Sequence, residues 1–497
     1  MNICIINPPC REYQAPQVPL GLIYVAQSLI DAGHSIDFID VNLNKNSEEE
    51  VISRAQDCEI LLIGGLATTY SYLKRITNSI NKLYPDVPIM AGGYIATPIP
   101  HVIFKNTGVT HICIGEGDIT VREYVSAIES SSDLLKVPGL FIKKNDSFIK
   151  TDDRPLIKNL DEINPPFDAY KLLDIEKYIN GMEQNAKLYL NPKDEFLKKG
   201  PFRLLPILSG RGCSAKCTFC YRMIPGMRKH SVPYVINHMK YLIDTYHTNM
   251  FMFNDELFVG NKIWLNDFCR AIADSDIDTR FSINARANLI SEEMISMLKK
   301  VGCCDIQIGI ESGSQKILDA MNKNIKVEQN YSAYALLKKY GFREAGSTVF
   351  GMPGEDINTF KENLQLIKNC ELESPSWYYA TPYPKSELYQ YAIQNGYIKD
   401  EEKYLEEISN CDASEFKINF TDFSDDELRF YHWFLIDECK KNRIIHEIKS
   451  GNASIIQLYR HRLNHGLVKY LFNLRLFGLV SKSRDVLHNT IKSRKMK

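Results

Sequence analysis

Gly210-Arg211-Gly212-Cys213-Ser214-Ala215-Lys216-Cys217-Thr218-Phe219-Cys220-Tyr221 is the stretch on which the reading of the whole chain turns. Thiolates are the usual protein ligands of iron–sulfur clusters, and a [4Fe–4S] cube normally takes four of them. Three cysteines at CxxxCxxC spacing let one short loop hold three corners and leave the fourth iron open to a chelating ligand. Structural zinc wants four ligands, commonly as paired CxxC or Cys/His units; no second pair follows at finger spacing, although His230 is a candidate fourth donor. A redox CxxC would leave Cys213 unused, and burial alone does not require a regular triplet beside Gly210 and Gly212.

The triplet, with the aromatic Phe219 before its last cysteine, resembles the radical S-adenosylmethionine (radical SAM) superfamily. That resemblance implies that the open iron chelates the amino and carboxylate groups of S-adenosylmethionine. Downstream, strand and helix units from Pro206 to about Pro384 are similar to the superfamily's partial (β/α) barrel, whose chemistry sits at the carboxyl ends of the strands. The resemblance implies S-adenosylmethionine contacts from Phe219, from Asp255 and Glu256 near the methionine amino group, and from Arg286 toward the carboxylate. It implies the same of Glu311 and Ser312 at the ribose, and of Gly351 and Pro353 against the adenine. Bland readings stand beside these. Asp255 and Glu256 fit a helix cap, Arg286 fits a surface ion pair, and the Gly351 to Gly354 run fits a tight turn. Lys385, after Tyr383-Pro384, stands where that family commonly has glycine, which leaves the backbone shape there open.

Upstream of the triplet, short apolar runs alternate with helical patterns, the signature of a doubly wound parallel sheet. Strands are expected at Asn2 to Ile6, Ser35 to Ile39, Glu59 to Ile63, Val87 to Ala91 and His111 to Ile114, with helices at Leu20 to Ala32, Tyr70 to Leu83 and Ile119 to Ile128. Ligands of such folds collect beyond the carboxyl ends of the strands. The residues there are Asn7 and Pro8, Gly64 and Gly65 with Thr68 and Thr69, Gly92 and Gly93, and Gly115, Glu116 and Gly117. Small residues at successive strand ends let a large flat ligand approach the backbone. A regulatory or nucleotide-binding flavodoxin-like domain fits the same glycines. The domain order, together with Pro19-Leu20-Gly21 and Gly115-Glu116-Gly117, resembles the cobalamin-dependent (B12-binding domain) radical SAM enzymes, methyltransferase-like. The resemblance implies that these strand-end residues bind cobalamin. The loop after the first strand carries no DxHxxG, so no histidine is expected on the cobalt and the nucleotide tail is expected to be displaced.

The fold class expected is thus α/β. A flavodoxin-like (Rossmann-type) cobalamin-binding domain spans 1–134, a linker with a small hairpin turning at Lys143 to Asp146 spans 135–202, a partial-barrel radical SAM domain spans 203–384, and a helical region spans 385–497. Length favours two or three domains, and a net charge of −1 with 44% hydrophobic residues gives no global push toward nucleic acid. Thirteen cysteines in so long a chain suggest reduced thiols. The opening run Met1 to Pro9 lacks a basic leader and reads as a strand, and no apolar stretch is long enough to span a bilayer, so a cytoplasmic location is expected. The helical region ends in a basic tail carrying Arg460, Arg462, Lys469, Arg475, Lys482, Arg484, Lys492, Arg494, Lys495 and Lys497. A solvated face is one reading of that tail, and peripheral membrane contact the other.

The function expected from the resemblance is methylation of an unactivated carbon or phosphorus of a small metabolite. A 5′-deoxyadenosyl radical and methylcobalamin would do this, with a [4Fe–4S] cluster, S-adenosyl-L-methionine and cobalamin as cofactors. No protein residue is required as nucleophile, and no catalytic side chain is assigned. A low-potential electron donor such as a flavodoxin or ferredoxin is the expected partner, and no nucleic acid. Alternatives are a cyclase or ring-rearranging oxidoreductase with the same cofactors, and a non-catalytic cobalamin-sensing or partner-binding module.

Overall fold

The computed structural model describes residues 1–10, 17–145, 147–189, 196, 200–343, 346–373, 375–449 and 453–473. β1 (Asn2–Asn7) sends Ile3 and Ile5 into one apolar cluster and Cys4 and Ile6 into another, so both faces are buried. That is the pattern of a parallel strand covered by helices on both sides. It pairs in parallel with β2 (Ser35–Asp40) and β3 (Ile60–Gly65), and the sheet continues through β4 (Ile89–Gly93) and β5 (His111–Cys113). The order 2-1-3-4-5 is the doubly wound flavodoxin arrangement.

Two strands then depart from the sequence reading. β6 (Leu140–Lys144) and β7 (Ser147–Lys150) form the expected hairpin, but β6 pairs antiparallel with β5, His111 opposite Ile142, so the hairpin completes a seven-stranded first sheet. The free edge of β5 needs backbone partners, which a hairpin arriving from a short loop supplies. The rest of the connector is no simple spacer. Ile157, Leu160 and Ile163 pack with Tyr24, the Tyr170 hydroxyl lies 3.1 Å from His238 Nε2, and Tyr178, on the helix Ile175–Tyr189, donates to Asp40. These contacts fill the seam between the two domains.

The second sheet has six parallel strands: β8 (Leu204–Ile207), β11 (Met250–Phe253), β12 (Arg280–Arg286), β13 (Cys303–Glu311), β14 (Gly346–Phe350) and β15 (Ser376–Tyr379), in that spatial order. Helices between them start on side-chain caps, Ser231, Asn261, Ser291 and Asp356, whose oxygens accept from the first turn. A short ribbon of β9 (Gly210–Arg211) and β10 (Arg228–Lys229) stands outside this sheet and closes the base of the cysteine loop. One apolar core runs from Ile3 and Ile5 through Tyr170 to Leu205, Ile207 and Phe251, so the two sheets share an interior. The last described elements are the helices Asp425–Lys449 and Ile455–Asn473; residues 474–497 lie outside the described residues. No described helix is long and apolar enough to cross a membrane.

Candidate active site between the two sheets

The cysteine loop is held by backbone constraints from several directions. Gly212 has φ +82°, and a Cβ there would stand 2.3 Å from the Gly226 carbonyl oxygen, so only glycine fits. The Gly212 amide donates to Glu256 (3.0 Å), the Thr218 amide to the Met321 carbonyl (2.9 Å), and Asn322 Nδ2 to the Lys216 carbonyl (2.8 Å). Cys217 is buried and Cys220 exposed. Desolvation of its sulfur within the loop first, then the neighbouring Cys217 and Cys213 thiols, pushes the Cys220 thiol up to about 11. The three do not lie within 4.8 Å of one another, the spacing that one ion requires. Among the described residues His230 forms no group with the cysteines close enough to share one ion; its Nδ1 pairs with Asp161 (3.2 Å), and its ring stacks on Tyr234 with centroids 3.9 Å apart. Among the described residues, the one group near enough for a single ion is Cys4, Asp37 and Cys58, where Arg54 bonds both Asp37 oxygens.

Several acids expected at S-adenosylmethionine are committed to protein partners. Asp255, 2% exposed, accepts from the Ser209 amide (2.7 Å), from the Ser209 hydroxyl and from Lys229 (2.6 Å), so it braces the loop from behind. Glu311 sits at φ +60° and pairs with the buried Lys323 (2.6 Å). Ser312 and the Gly313 amide bond Asn363, and the following helix begins at Gln315. Arg286 meets no carboxylate among the described residues. Its guanidinium donates to the Lys323 carbonyl, and one nitrogen lies 3.6 Å from Cys217 Sγ, so its surface ion-pair reading falls away. Phe219 packs against an apolar cluster to which both domains contribute, Gly351 takes φ +96° and donates to Glu355 (2.5 Å), and Pro353 stays half-buried. Lys385 adopts φ +66°, so the backbone keeps a glycine-like shape without the glycine.

Opposite the loop lie the strand ends of the first sheet. A cavity of about 680 Å³ is walled on one side by Asn7, Pro8, Gly64, Gly65, Thr69, Gly92, Gly93, Gly115, Glu116 and Gly117, the residues expected there. On the other side stand Arg211, Met223, Ile224, Asn254 and Glu256 of the second domain. Thr68 does not reach the cavity; its side chain is 3% exposed, and Thr69 spends its proton on the Leu66 carbonyl (2.8 Å). Gly21 and Gly115 would meet nothing within 4 Å of an added Cβ, and Gly92 only Cys113 at 3.7 Å. Side chains there would fill the cavity, so these residues fit a broad planar group laid against the backbone. A separate hollow around Met1, Glu59, Pro88 and His111 lies at the opposite, amino ends of the strands.

Glu116 does more than line the wall. Its oxygens receive Arg211 (3.1 Å) and Arg228 (2.9 and 3.0 Å), while Asp118 takes both Arg211 nitrogens (2.6 and 3.0 Å). All four side chains are nearly buried. This bidentate clamp ties the loop after β5 to the strand leading into Cys213. Neither arginine nor Asp118 was expected as part of the site. The partners lie about a hundred positions apart in the chain, and the one local signal was the acidic pair in Gly115-Glu116-Gly117-Asp118.

Residues 9–125 match the B12 binding domain and residues 207–367 the radical SAM superfamily. The chain belongs to the cobalamin-dependent radical SAM enzymes. Its cofactors are a [4Fe–4S] cluster, S-adenosylmethionine and cobalamin. It is 28% identical over 410 residues to an uncharacterized methyltransferase of Pyrococcus horikoshii, covering 80% of this chain and 84% of that one. It is 25% identical to an anaerobic magnesium-protoporphyrin IX monomethyl ester cyclase of Synechocystis, covering 80% and 79%. Among solved structures it superposes on the methyltransferase TsrM of Kitasatospora setae with cobalamin and cluster bound (TM-score 0.63, 16% identity, 79% and 75% covered). It also superposes on the cobalamin-dependent enzyme OxsB with aqua-cobalamin and S-adenosylmethionine bound (TM-score 0.65, 16% identity, 99% and 75% covered). These likenesses show the fold.

Proposed function

We propose that the protein is a methyltransferase acting on an unactivated carbon or phosphorus of a small metabolite. The single observation that carries this is one cavity with two walls, one from the B12 binding domain and one from the cysteine loop. When bound, the cluster and S-adenosylmethionine supply a 5′-deoxyadenosyl radical, and cobalamin carries the methyl group. The chain's own residues position and shield. Cys213, Cys217 and Cys220 hold the cluster, Glu256 fixes the loop through the Gly212 amide, and Arg286 with the Lys323 carbonyl braces Cys217. With Arg211 engaged by Glu116 and Asp118, Glu256 and Asn254 are the other polar groups of the second wall that would face a substrate. Relatives named as methyltransferases support the reading, among them the cytidylyl-2-hydroxyethylphosphonate methyltransferase of Streptomyces wedmorensis. A cytoplasmic setting with a flavodoxin or ferredoxin as electron donor accompanies it. The cyclase relative favours a second reading, radical rearrangement without methyl transfer.

The test is anaerobic. The protein, reconstituted with iron, sulfide and hydroxocobalamin, receives a low-potential reductant and S-adenosylmethionine, and the products are measured by mass spectrometry. Methyl transfer predicts both 5′-deoxyadenosine and S-adenosylhomocysteine, with 5′-deoxyadenosine lost in Cys217→Ala. 5′-Deoxyadenosine without S-adenosylhomocysteine would overturn methyl transfer in favour of rearrangement.

A further inference from the structure

The helix Ile455–Asn473 turns its apolar side outward. Ile456, Tyr459, Leu463 and Leu467 are 62%, 63%, 56% and 57% exposed. At 3.6 residues per turn they fall within an arc of about 80° and run about 16 Å along the helix. The inward side is the more polar one. His461 Nε2 pairs with Asp437 (3.0 Å), His465 Nδ1 bonds the other Asp437 oxygen, and the His465 ring meets Phe434 and Trp433 at 4.9 and 5.4 Å. Rolling the apolar stripe inward would break both histidine contacts and turn two imidazoles to solvent, so the orientation is fixed by the helix Asp425–Lys449. Four large apolar side chains in one exposed row form a surface that a soluble face does not need.

The charge around the stripe selects its occupant. Arg460, Arg462 and Lys469 are exposed on the same helix, which holds no acidic residue, and after Glu447 the sequence has a single acid, Asp485, against ten lysines and arginines from Arg460 onward. The chain as a whole is nearly neutral, so positive charge is concentrated here and the remainder is acidic. A second copy pairing through the same row would set like basic rims against each other, with no acid on this helix to answer them. An anionic bilayer offers both an apolar interior for Ile456, Tyr459, Leu463 and Leu467 and negative headgroups for the basic rim. We infer that this helix lies in the interface of an anionic lipid membrane and holds the enzyme there as a peripheral protein.

The experiment is flotation of the full-length, cluster-loaded protein with vesicles of phosphatidylcholine alone or mixed with phosphatidylglycerol. Wild type is expected to float with the mixed vesicles, less so at high salt, and to stay behind with phosphatidylcholine alone. The double variant Leu463→Glu/Leu467→Glu, altered only at exposed positions and checked for an unchanged circular-dichroism melt, is expected to partition at least about tenfold less. No flotation of wild type on anionic vesicles overturns the inference, as does a double variant that floats equally well. A wild type that elutes at dimer mass while the variant elutes as monomer assigns the face to a second copy instead.

Discussion

Arg211 stands two residues before Cys213, yet its guanidinium is spent on the other domain, on Glu116 and Asp118. Breaking a buried pair by removing one partner leaves an uncompensated charge, at a typical cost of about 3 kcal/mol or more. Arg211→Met is therefore expected to destabilise the protein by roughly that amount in chemical or thermal unfolding. Pairing it with Asp118→Asn should cost less than the sum of the two single changes, since the variants remove one interaction. Additive losses, or a loss under about 1 kcal/mol for Arg211→Met, would contradict the clamp. At this scale the three-cysteine pattern was legible because its spacing is local. The sequence did not show that Asp255 answers to Lys229 or Glu311 to Lys323. Those partners meet through strand order, which no local pattern carries.

At the scale of elements, the turn after β14 holds a carboxyl that favours its proton. Burial pushes Glu355 up to about 8 from an ordinary 4.5. The folded chain keeps a proton that the unfolded chain releases above about 4.5, so stability is fullest at low pH, falls as pH rises through this interval, and levels off above about 8. Glu355→Gln should remove the dependence and gain about 2 kcal/mol relative to wild type between pH 6 and pH 8. Parallel pH profiles of the two melts would contradict this. Strand ends give another expectation. Gly92→Leu puts a side chain where the backbone now borders the cavity and should lower bound cobalamin severalfold, read by absorbance, with an unchanged circular-dichroism spectrum. Undiminished cobalamin would exclude that wall as its seat. The strands and helices of the first sheet were legible because apolar runs and helical spacing are local. The β9–β10 ribbon and the pairing of β6 with β5 were not, since two-residue strands and sheet edges leave no periodic trace.

For the molecule as a whole, the strand ends of the first sheet and the cysteine-loop side of the second domain face each other across one cavity. The structure shows the means: a shared apolar core, the Arg211 and Arg228 clamp, and a connector packed into the seam. The connector's role was hidden because its apolar residues, Ile157, Leu160 and Ile163, find their partner, Tyr24, in a distant helix. The central claim is that cobalamin and the cluster work across one cavity. The most direct measurement is electron paramagnetic resonance of the anaerobic protein carrying cob(II)alamin and the reduced cluster together, beside a Cys217→Ala control lacking the cluster. A shared cavity predicts spin–spin broadening or splitting of the cob(II)alamin lines that disappears in the control; a cob(II)alamin spectrum identical in both proteins would contradict the account.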